Sequence, residues 1–258
     1  MIRLIKQVRA WVCMATTAAM LAIAFSSPSV ALDEAEKEEL GQFIRDYLIE
    51  NPEILFEVQA AYEAKQQQIQ LEQARQVIAD SRDVIFNSPN NIVLGNPEGD
   101  VTIVEFFDYN CGFCKRAMKD MEEIIANDPN VRFILKEFPI LGEDSVAAHR
   151  VSVAVLRVAP ETYEAFHFEL LGGRERATEA RAIEVATNLG VDEEALRAAM
   201  ADETIDESFR ESYELADSLG ISGTPSYIVG DEAVFGAVGV PTLQDKLANI
   251  RDCESANC

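Results

Sequence analysis

The amino-acid sequence predicts an α/β fold in which a helical subdomain is inserted between strands and a helical segment precedes the whole. Residues 101–107 are apolar and rich in β-branched and aromatic side chains, which indicates a buried strand. Residues 115–126 carry apolar side chains at helical spacing, and residues 131–138 predict a second strand. The pattern from 144 to 219 is helical almost throughout, and residues 226–250 predict a hairpin and a closing helix.

Length and composition favour a globular protein with one moderate domain and a smaller addition. The chain has 258 residues, of which 48% are hydrophobic. Its formal net charge is −23. Because nucleic-acid phosphates repel so acidic a surface, we expect no nucleic-acid partner.

Residues 1–31 predict a signal peptide. An apolar run at 11–25 is shorter than the roughly 20 residues that a membrane-spanning helix needs, and small residues precede a cleavage site after Ala31. The run follows three basic residues, Arg3, Lys6 and Arg9. We therefore expect export to the periplasm, with an uncleaved anchor as the alternative.

Residues 32–82 predict a helical oligomerisation segment. A first helix carries an apolar stripe, and Pro52 begins a second helix with a stripe of its own. The first stripe consists of Leu40, Phe43, Ile44, Tyr47 and Leu48. Two such helices cannot fully bury their stripes against each other, so the segment meets copies of itself or, alternatively, docks on the parent domain.

A Cys-x-x-Cys pair lies between the predicted strand at 101–107 and the helix that follows it. The positive end of a helix stabilises a thiolate, so we expect Cys111 to be an exposed, ionised nucleophile. Cys114, one turn later, is expected to be buried and to resolve the mixed disulfide. Gly112 and Phe113 lie between the cysteines and are expected to tune their potential.

The alternative interpretation of this pair is half of a zinc site. Its remaining ligands would come from distant residues, namely Cys253, Cys258, His149 or His167. We favour a redox pair, expect both histidines to be structural, and expect no metal and no cofactor.

The cysteine count supports two local pairs in an oxidising compartment. Cys13 falls in the signal peptide, which leaves an even number. The simplest pairing joins Cys111 to Cys114 as a redox-active disulfide and Cys253 to Cys258 as a structural clip. A second redox pair or a metal hook is the alternative for the C-terminal cysteines.

Thr224 and Pro225 precede a predicted strand. A proline there cannot donate a sheet hydrogen bond, and a cis Thr224-Pro225 bond would place this backbone beside the cysteines. The alternative is an ordinary trans-proline turn.

The predicted elements follow in the order strand, Cys-x-x-Cys, helix, helical insertion, Thr-Pro, hairpin and final helix. This order resembles that of the DsbA-like branch of thioredoxin-fold proteins, and the resemblance covers residues 84–252. The resemblance implies a thioredoxin-like domain at 83–258 with its insertion at about 144–219. It also implies that Thr224 and Pro225 bind extended substrate beside Gly112 and Phe113. Glu105 matches a carboxylate that assists proton transfer to the second cysteine; its alternative is an edge-exposed strand residue.

Residues 43–55 resemble the N-terminal domain of ScsC-type suppressors of copper sensitivity. The resemblance implies a homo-oligomer, with a trimer favoured. Together these features predict an exported thiol-disulfide oxidoreductase or isomerase that acts on cysteine-containing proteins and needs a membrane redox partner. The alternatives are a monomeric dithiol oxidase, a copper-binding protein using the same thiols, and a non-enzymatic holdase.

Overall fold

A computed structural model of the chain describes residues 33–258. The predicted signal peptide, with Cys13, lies outside the described residues. The described residues up to Glu63 form one compact unit, and Ala64–Cys258 form a second. Within 33–258, every helix is too short or too polar to span a membrane.

The N-terminal unit contains the helix α1 (Glu34–Glu50) and the start of α2 (Glu53–Asp80). Asp33 caps α1, because its carboxylate accepts the Glu36 N–H at 2.8 Å while Glu36 accepts the Asp33 N–H at 2.9 Å. None of the side chains of α1 is buried. The large apolar side chains exposed on these helices are Leu40, Phe43, Ile44, Tyr47, Ile49, Leu55, Phe56, Val58 and Tyr62. Four of the five side chains of the predicted stripe are thus exposed, and the fifth, Leu48, is half-buried.

The second unit is built on one five-stranded sheet with the order β1-β3-β2-β4-β5. Its strands are β1 (Ile92–Gly95), β2 (Val101–Phe107), β3 (Val131–Glu137), β4 (Ser226–Val229) and β5 (Glu232–Phe235). Only β2 and β3 run parallel, and the other neighbours are antiparallel. The central strand β2 is buried along almost its whole length, as its apolar sequence predicts.

Helices cover both faces of this sheet. They are α3 (Arg82–Phe86), α4 (Cys114–Asn127), α5 (Glu143–Val158), a 3-10 turn (Pro160–Thr162), α6 (Tyr163–Gly172), α7 (Glu179–Asn188), α8 (Glu193–Met200), α9 (Ile205–Ser218) and α10 (Val240–Cys253). The five helices α5 to α9 connect β3 to β4. The predicted helical insertion is therefore confirmed, and its helices extend from Glu143 to Ser218.

The two faces of the sheet bury separate apolar clusters. One contains Ile103 and Phe107 together with the two active-site cysteines. The other contains Val104 and Phe106, and Ile78 of α2 is buried in it. We predicted that the N-terminal segment extends to residue 82, but the structure places the part of α2 after Glu63 in the second unit. The apolar pattern of α2 could not show this, because Ile78 is buried by strands that come later in the chain.

Candidate active site

The loop between β2 and α4 carries Cys111 and leads into Cys114, the first residue of α4. Cys111 itself thus lies before the first residue of the helix. Cys111 lies in a turn in which its N–H donates to Asp108 O at 3.0 Å. The Cys114 N–H donates to Cys111 Sγ at 3.4 Å. The helix N-terminus therefore faces the sulfur from the side, and the expected dipole stabilisation is retained.

Both cysteines are free thiols, and both are buried. The prediction that Cys111 is exposed is wrong, since only 6% of it is accessible. The reason is the carbonyl oxygen of Thr224, which accepts the Cys111 thiol hydrogen at 3.1 Å. Residues that lie far apart in the sequence thus cover the sulfur.

The two thiols have opposite acidities. The pKa of Cys111 is lowered to about 5, chiefly by a hydrogen bond from the Cys114 side chain. The Thr224 side chain and the N–H groups of Phe113 and Cys114 lower this pKa further, against the opposing effect of burial. Burial raises the pKa of Cys114 far above its ordinary value, and its bond to Cys111 and the charge of Glu105 add to the rise. At neutral pH the pair is one thiolate and one thiol.

Glu105 lies in the central strand β2, opposite Leu135 of β3 and Tyr227 of β4. Only 2% of it is accessible, so the alternative of an edge-exposed strand residue is wrong. Burial raises the pKa of Glu105 to about 8, and the negative charges of Cys111 and Asp120 contribute. This carboxyl group can therefore hold or release a proton near neutral pH.

The peptide bond between Thr224 and Pro225 is cis. Pro225 O accepts the Gly236 N–H at 2.9 Å, which ties this loop to the end of β5. The bond lies beside Cys111, as the sequence interpretation required, and the trans-proline alternative is wrong.

The surface beside Cys111 is formed by Gly112 and Phe113. A Cβ at Gly112 would meet nothing within 4 Å. The Phe113 ring is 57% exposed, and the Arg116 guanidinium lies 5.0 Å from its centroid. We call Gly112, Phe113, Thr224 and Pro225 together the active-site rim.

Sequence reasoning did not single out Tyr227. Its hydroxyl is buried and has no hydrogen-bond partner in the described part of the chain, and it faces the same side of the sheet as Glu105. Only the strand register brings these residues together, and no local pattern reveals a register between β2 and β4.

The C-terminal cysteines Cys253 and Cys258 form a disulfide with an S–S distance of 2.04 Å. Their sulfurs are thus unavailable as further ligands for the Cys111 and Cys114 pair. Across residues 33–258, no three His, Cys, Asp or Glu side chains cluster in a way that could hold a metal ion. The zinc alternative, which relied on Cys253 and Cys258 or on the two histidines, does not fit this arrangement.

Two family models match the chain. The DSBA-like thioredoxin domain matches residues 102–248, which run from β2 into α10 and include the active-site cysteines and the cis-proline. The copper resistance protein ScsC N-terminal domain matches residues 36–68, which include most of α1 and the first part of α2.

Several solved structures are similar. A thioredoxin-like oxidoreductase from Silicibacter pomeroyi is 44% identical, with 67% of this chain and 98% of that one covered and a TM-score of 0.64. The thiol-disulfide exchange protein alpha-DsbA2 from Wolbachia pipientis is 30% identical, with coverages of 69% and 95% and a TM-score of 0.64. ScsC from Proteus mirabilis in a transitional conformation is 27% identical, with coverages of 85% and 98% and a TM-score of 0.62.

Among curated proteins, the Na(+)/H(+) antiporters NhaA 3 of Salinispora tropica and NhaA 1 of Salinispora arenicola are 24% identical over 151 residues. The match covers 58% of this chain and 23% of each antiporter. The chain therefore spans less than a quarter of the length of these curated relatives.

Proposed function

The chain belongs to the DSBA-like thioredoxin domain family, and we propose that it is an enzyme that exchanges disulfides with exported proteins through Cys111 and Cys114. The observation that carries this proposal is the opposite acidity of the two thiols at the start of α4. A pKa of about 5 makes Cys111 a thiolate at neutral pH, whereas Cys114 keeps its proton. A thiolate is the form that attacks a disulfide, so Cys111 is the nucleophile and Cys114 is the thiol that can later resolve the mixed disulfide.

In rearrangement of a wrong disulfide, the Cys111 thiolate attacks one sulfur of the substrate. A mixed disulfide forms, the substrate disulfide breaks, and the second substrate sulfur leaves as a thiolate. That thiolate attacks another disulfide of the held substrate, and the last thiolate formed attacks the mixed disulfide. Cys111 returns as a thiolate, and no electrons are gained or lost overall.

Resolution by Cys114 leads to a different product. Cys114 must first lose its proton, and we propose Glu105 as the acceptor. The Glu105 side chain is buried on the face of the sheet that also buries Cys114, and its pKa is about 8. The Cys114 thiolate then attacks Cys111 and releases the substrate as a thiol. The substrate is reduced by two electrons while the pair becomes a disulfide, and the reverse sequence oxidises a substrate.

The active-site rim is the proposed contact for extended substrate. The Thr224 carbonyl is already directed at Cys111 Sγ, so a chain lying along this edge would present its sulfur to the nucleophile. Phe113 offers an exposed aromatic face next to it, and Gly112 leaves room for backbone to approach closely.

The N-terminal unit is the proposed assembly element. The match to the ScsC N-terminal domain supports a homo-oligomer, with a trimer favoured. The exposed apolar stripe of α1 also supports it, because a chain with a net charge of −23 associates only through a sizeable apolar contact. Several catalytic domains on one scaffold raise the effective concentration of thiols near a captured substrate, which favours isomerisation.

The site of action that we propose is the periplasm, after removal of residues 1–31. A membrane redox partner would reset the pair after each net transfer of electrons. Thiol chemistry outside the cytosol needs such a partner, because no glutathione pool keeps the cysteines reduced there.

Refolding of a scrambled, disulfide-bonded protein tests this function. The wild-type chain should restore native pairing, Cys111→Ser should be inactive, and Cys114→Ser should accumulate mixed disulfides that a reductant releases. Inactivity of the wild-type chain with both scrambled and reduced substrate would rule the proposal out.

Copper binding is the second candidate, because the matched N-terminal family is described as a copper resistance protein and two thiols suit Cu(I). Stoichiometric Cu(I) bound by the reduced chain, lost in Cys111→Ser and accompanied by no disulfide exchange, would favour it over the oxidoreductase.

A further inference from the structure

A cluster of buried polar side chains lies beside the loop that carries Cys111, and the exchange reaction described above uses none of them. Its members are at most 2% accessible: Tyr109, Glu137, His149, Ser152, Tyr163 and His167. Tyr109 precedes Cys111 by two positions, Glu137 ends β3, and the other residues lie on α5 and α6. The two histidines thus lie beside the active site, although no local pattern indicates what they contact.

The hydrogen bonds of His149 define where its proton lies. The Tyr109 backbone N–H donates to His149 Nε2 at 3.1 Å. A backbone amide can only donate, so Nε2 carries no proton and the ring proton lies on Nδ1. Nδ1 in turn donates to Glu137 Oε2. Glu137 therefore fixes the tautomer of His149 that can accept the loop amide.

The Glu137 carboxylate is satisfied from several sides. Besides His149, it accepts Ser152 Oγ–H at 2.6 Å and Tyr163 O–H at 3.3 Å, both at Oε1. Burial, reinforced by the negative charge of Glu137, raises the pKa of the Tyr109 and Tyr163 hydroxyls. These groups thus remain protonated donors, and a carboxylate that accepts such bonds can stay buried without a cation.

His167 differs from His149 in what it contacts. Its Nδ1 is 3.2 Å from the Tyr109 hydroxyl and bonds no backbone group of the loop. Burial lowers the pKa of His167 to about 3, so this imidazole is neutral. The two imidazoles are equally buried and both touch Tyr109, but only His149 holds its main chain.

We propose that the Glu137 and His149 pair positions the nucleophile by holding the Tyr109 amide, and thereby keeps Cys111 Sγ within reach of the Cys114 N–H. The loop has two other anchors. The Asp108 carboxylate accepts the N–H groups of Ile140 and Leu141 at 2.9 and 3.0 Å, and the Asn110 side chain exchanges hydrogen bonds of 2.9 Å with the backbone of Ala177. His149 is the side chain that holds the amide between them. Hydrogen bonds to Cys111 Sγ lower its pKa and weaken steeply as they lengthen, so a looser loop raises the pKa of Cys111. His149 is a positioning residue, and the inference rests on the proposed role of Cys111.

Thiolate absorbance against pH in three variants tests this inference. His149→Leu should raise the pKa of Cys111 by about one unit, which is a tenfold smaller ratio of thiolate to thiol at a given pH. His167→Leu is the matched control; it should lower the melting temperature but leave the titration within about 0.3 units of wild type. His149→Gln, whose amide can accept from Tyr109 and donate to Glu137, should restore most of the wild-type titration.

Two outcomes would overturn the inference: a folded His149→Leu that titrates like wild type, or equal shifts in His149→Leu and His167→Leu. Should His149→Leu not fold, the nitrogen–nitrogen coupling across the hydrogen bond between Tyr109 and His149, measured by NMR on the wild-type chain, decides. A measurable coupling at His149 Nε2 supports the inference, and the absence of this coupling refutes the inference. If Cys111 of the wild type titrates as a free cysteine, the proposed function fails instead.

Discussion

The Cys111 thiol donates to the carbonyl oxygen of Thr224 at 3.1 Å, across a separation of 113 positions in the chain. The contact exists only while Cys111 is protonated, because a thiolate has no hydrogen to donate. Ionisation therefore removes this bond and leaves the sulfur to the donors around it, the Cys114 side chain and the N–H groups of Phe113 and Cys114. The residue before the cis-proline thus covers the protonated form of Cys111 and lies where substrate is proposed to bind.

The Thr224 side chain lowers the pKa of Cys111, and replacing Thr224 by Val removes its hydroxyl while keeping the side-chain shape. We expect the pKa of Cys111 to rise by a few tenths of a unit to about one unit, since the Cys114 side chain contributes more than Thr224. Thr224→Ser, which retains the hydroxyl, is the control and should titrate like wild type. Thiolate absorbance measures both variants, and identical curves for the two would mean that the Thr224 hydroxyl has no effect.

Glu105→Gln should separate the two chemical steps. Attack by Cys111 on a disulfide peptide should keep its rate, whereas resolution by Cys114 should slow at least about tenfold, because a general base typically contributes 10² or more. Stopped-flow measurement of mixed-disulfide formation and decay gives both rates. Glu122→Gln, on the exposed side of α4, is the matched control. Equal slowing of the two steps would assign Glu105 a purely structural role.

Glu105 should also make the stability of the dithiol form depend on pH. Its pKa is raised from 4.5 to about 8 by folding, so the unfolded chain releases this proton more readily. The free energy of unfolding is at its full value below about pH 4.5, where Glu105 is protonated in both states, and it falls as the pH rises towards 8. Glu105→Gln should therefore match wild type near pH 4 and exceed it by about 4 kcal/mol near pH 8. Urea unfolding at both pH values measures the difference, and a constant offset between the two proteins would contradict the raised pKa.

The chain from Ala64 onwards should be a folded monomer that still oxidises dithiols and loses most of its isomerase activity. The cut is placed before Ala64 because a chain starting at Asp83 would lose Ile78, a buried core residue whose removal costs about 2–5 kcal/mol. The whole chain after Ala31 should be an oligomer by light scattering.

A single substitution in α1 provides the matched test of that assembly. Phe43 is 64% exposed in one chain, so Phe43→Glu should dissociate the oligomer without unfolding the second unit. Gln42→Glu adds the same charge next to it and should leave the oligomer intact. If both variants and the wild type are monomeric, the oxidase alternative replaces the isomerase proposal.

Local patterns were sufficient to predict the order of elements and the family. The apolar run of β2, the Cys-x-x-Cys pair at the start of α4 and the helical stretch between β3 and β4 each depend on neighbouring residues, and the resemblances to DsbA-like and ScsC-type proteins are confirmed by the family matches. Burial of Cys111 could not be predicted, because the Thr224 carbonyl that covers it belongs to a distant loop.

Long-range contacts explain the remaining differences in the same way. The facing of Glu105 and Tyr227 depends on the register of β2 and β4, and the bond from Tyr109 to His149 depends on how α5 packs beside the loop. Neither relationship has a spacing signature, so a histidine inside a helix gives no indication that it holds the main chain of the active site.

Titration of the Cys111 thiolate in the reduced wild-type chain is the most direct test of its role as the nucleophile. Absorbance of the thiolate is followed from acid to alkaline pH, with Cys111→Ser as the blank. We expect a midpoint near pH 5, produced by the Cys114 side chain, Thr224 and the N-terminus of α4. A midpoint near 8.5, the value of a free cysteine, would contradict that role.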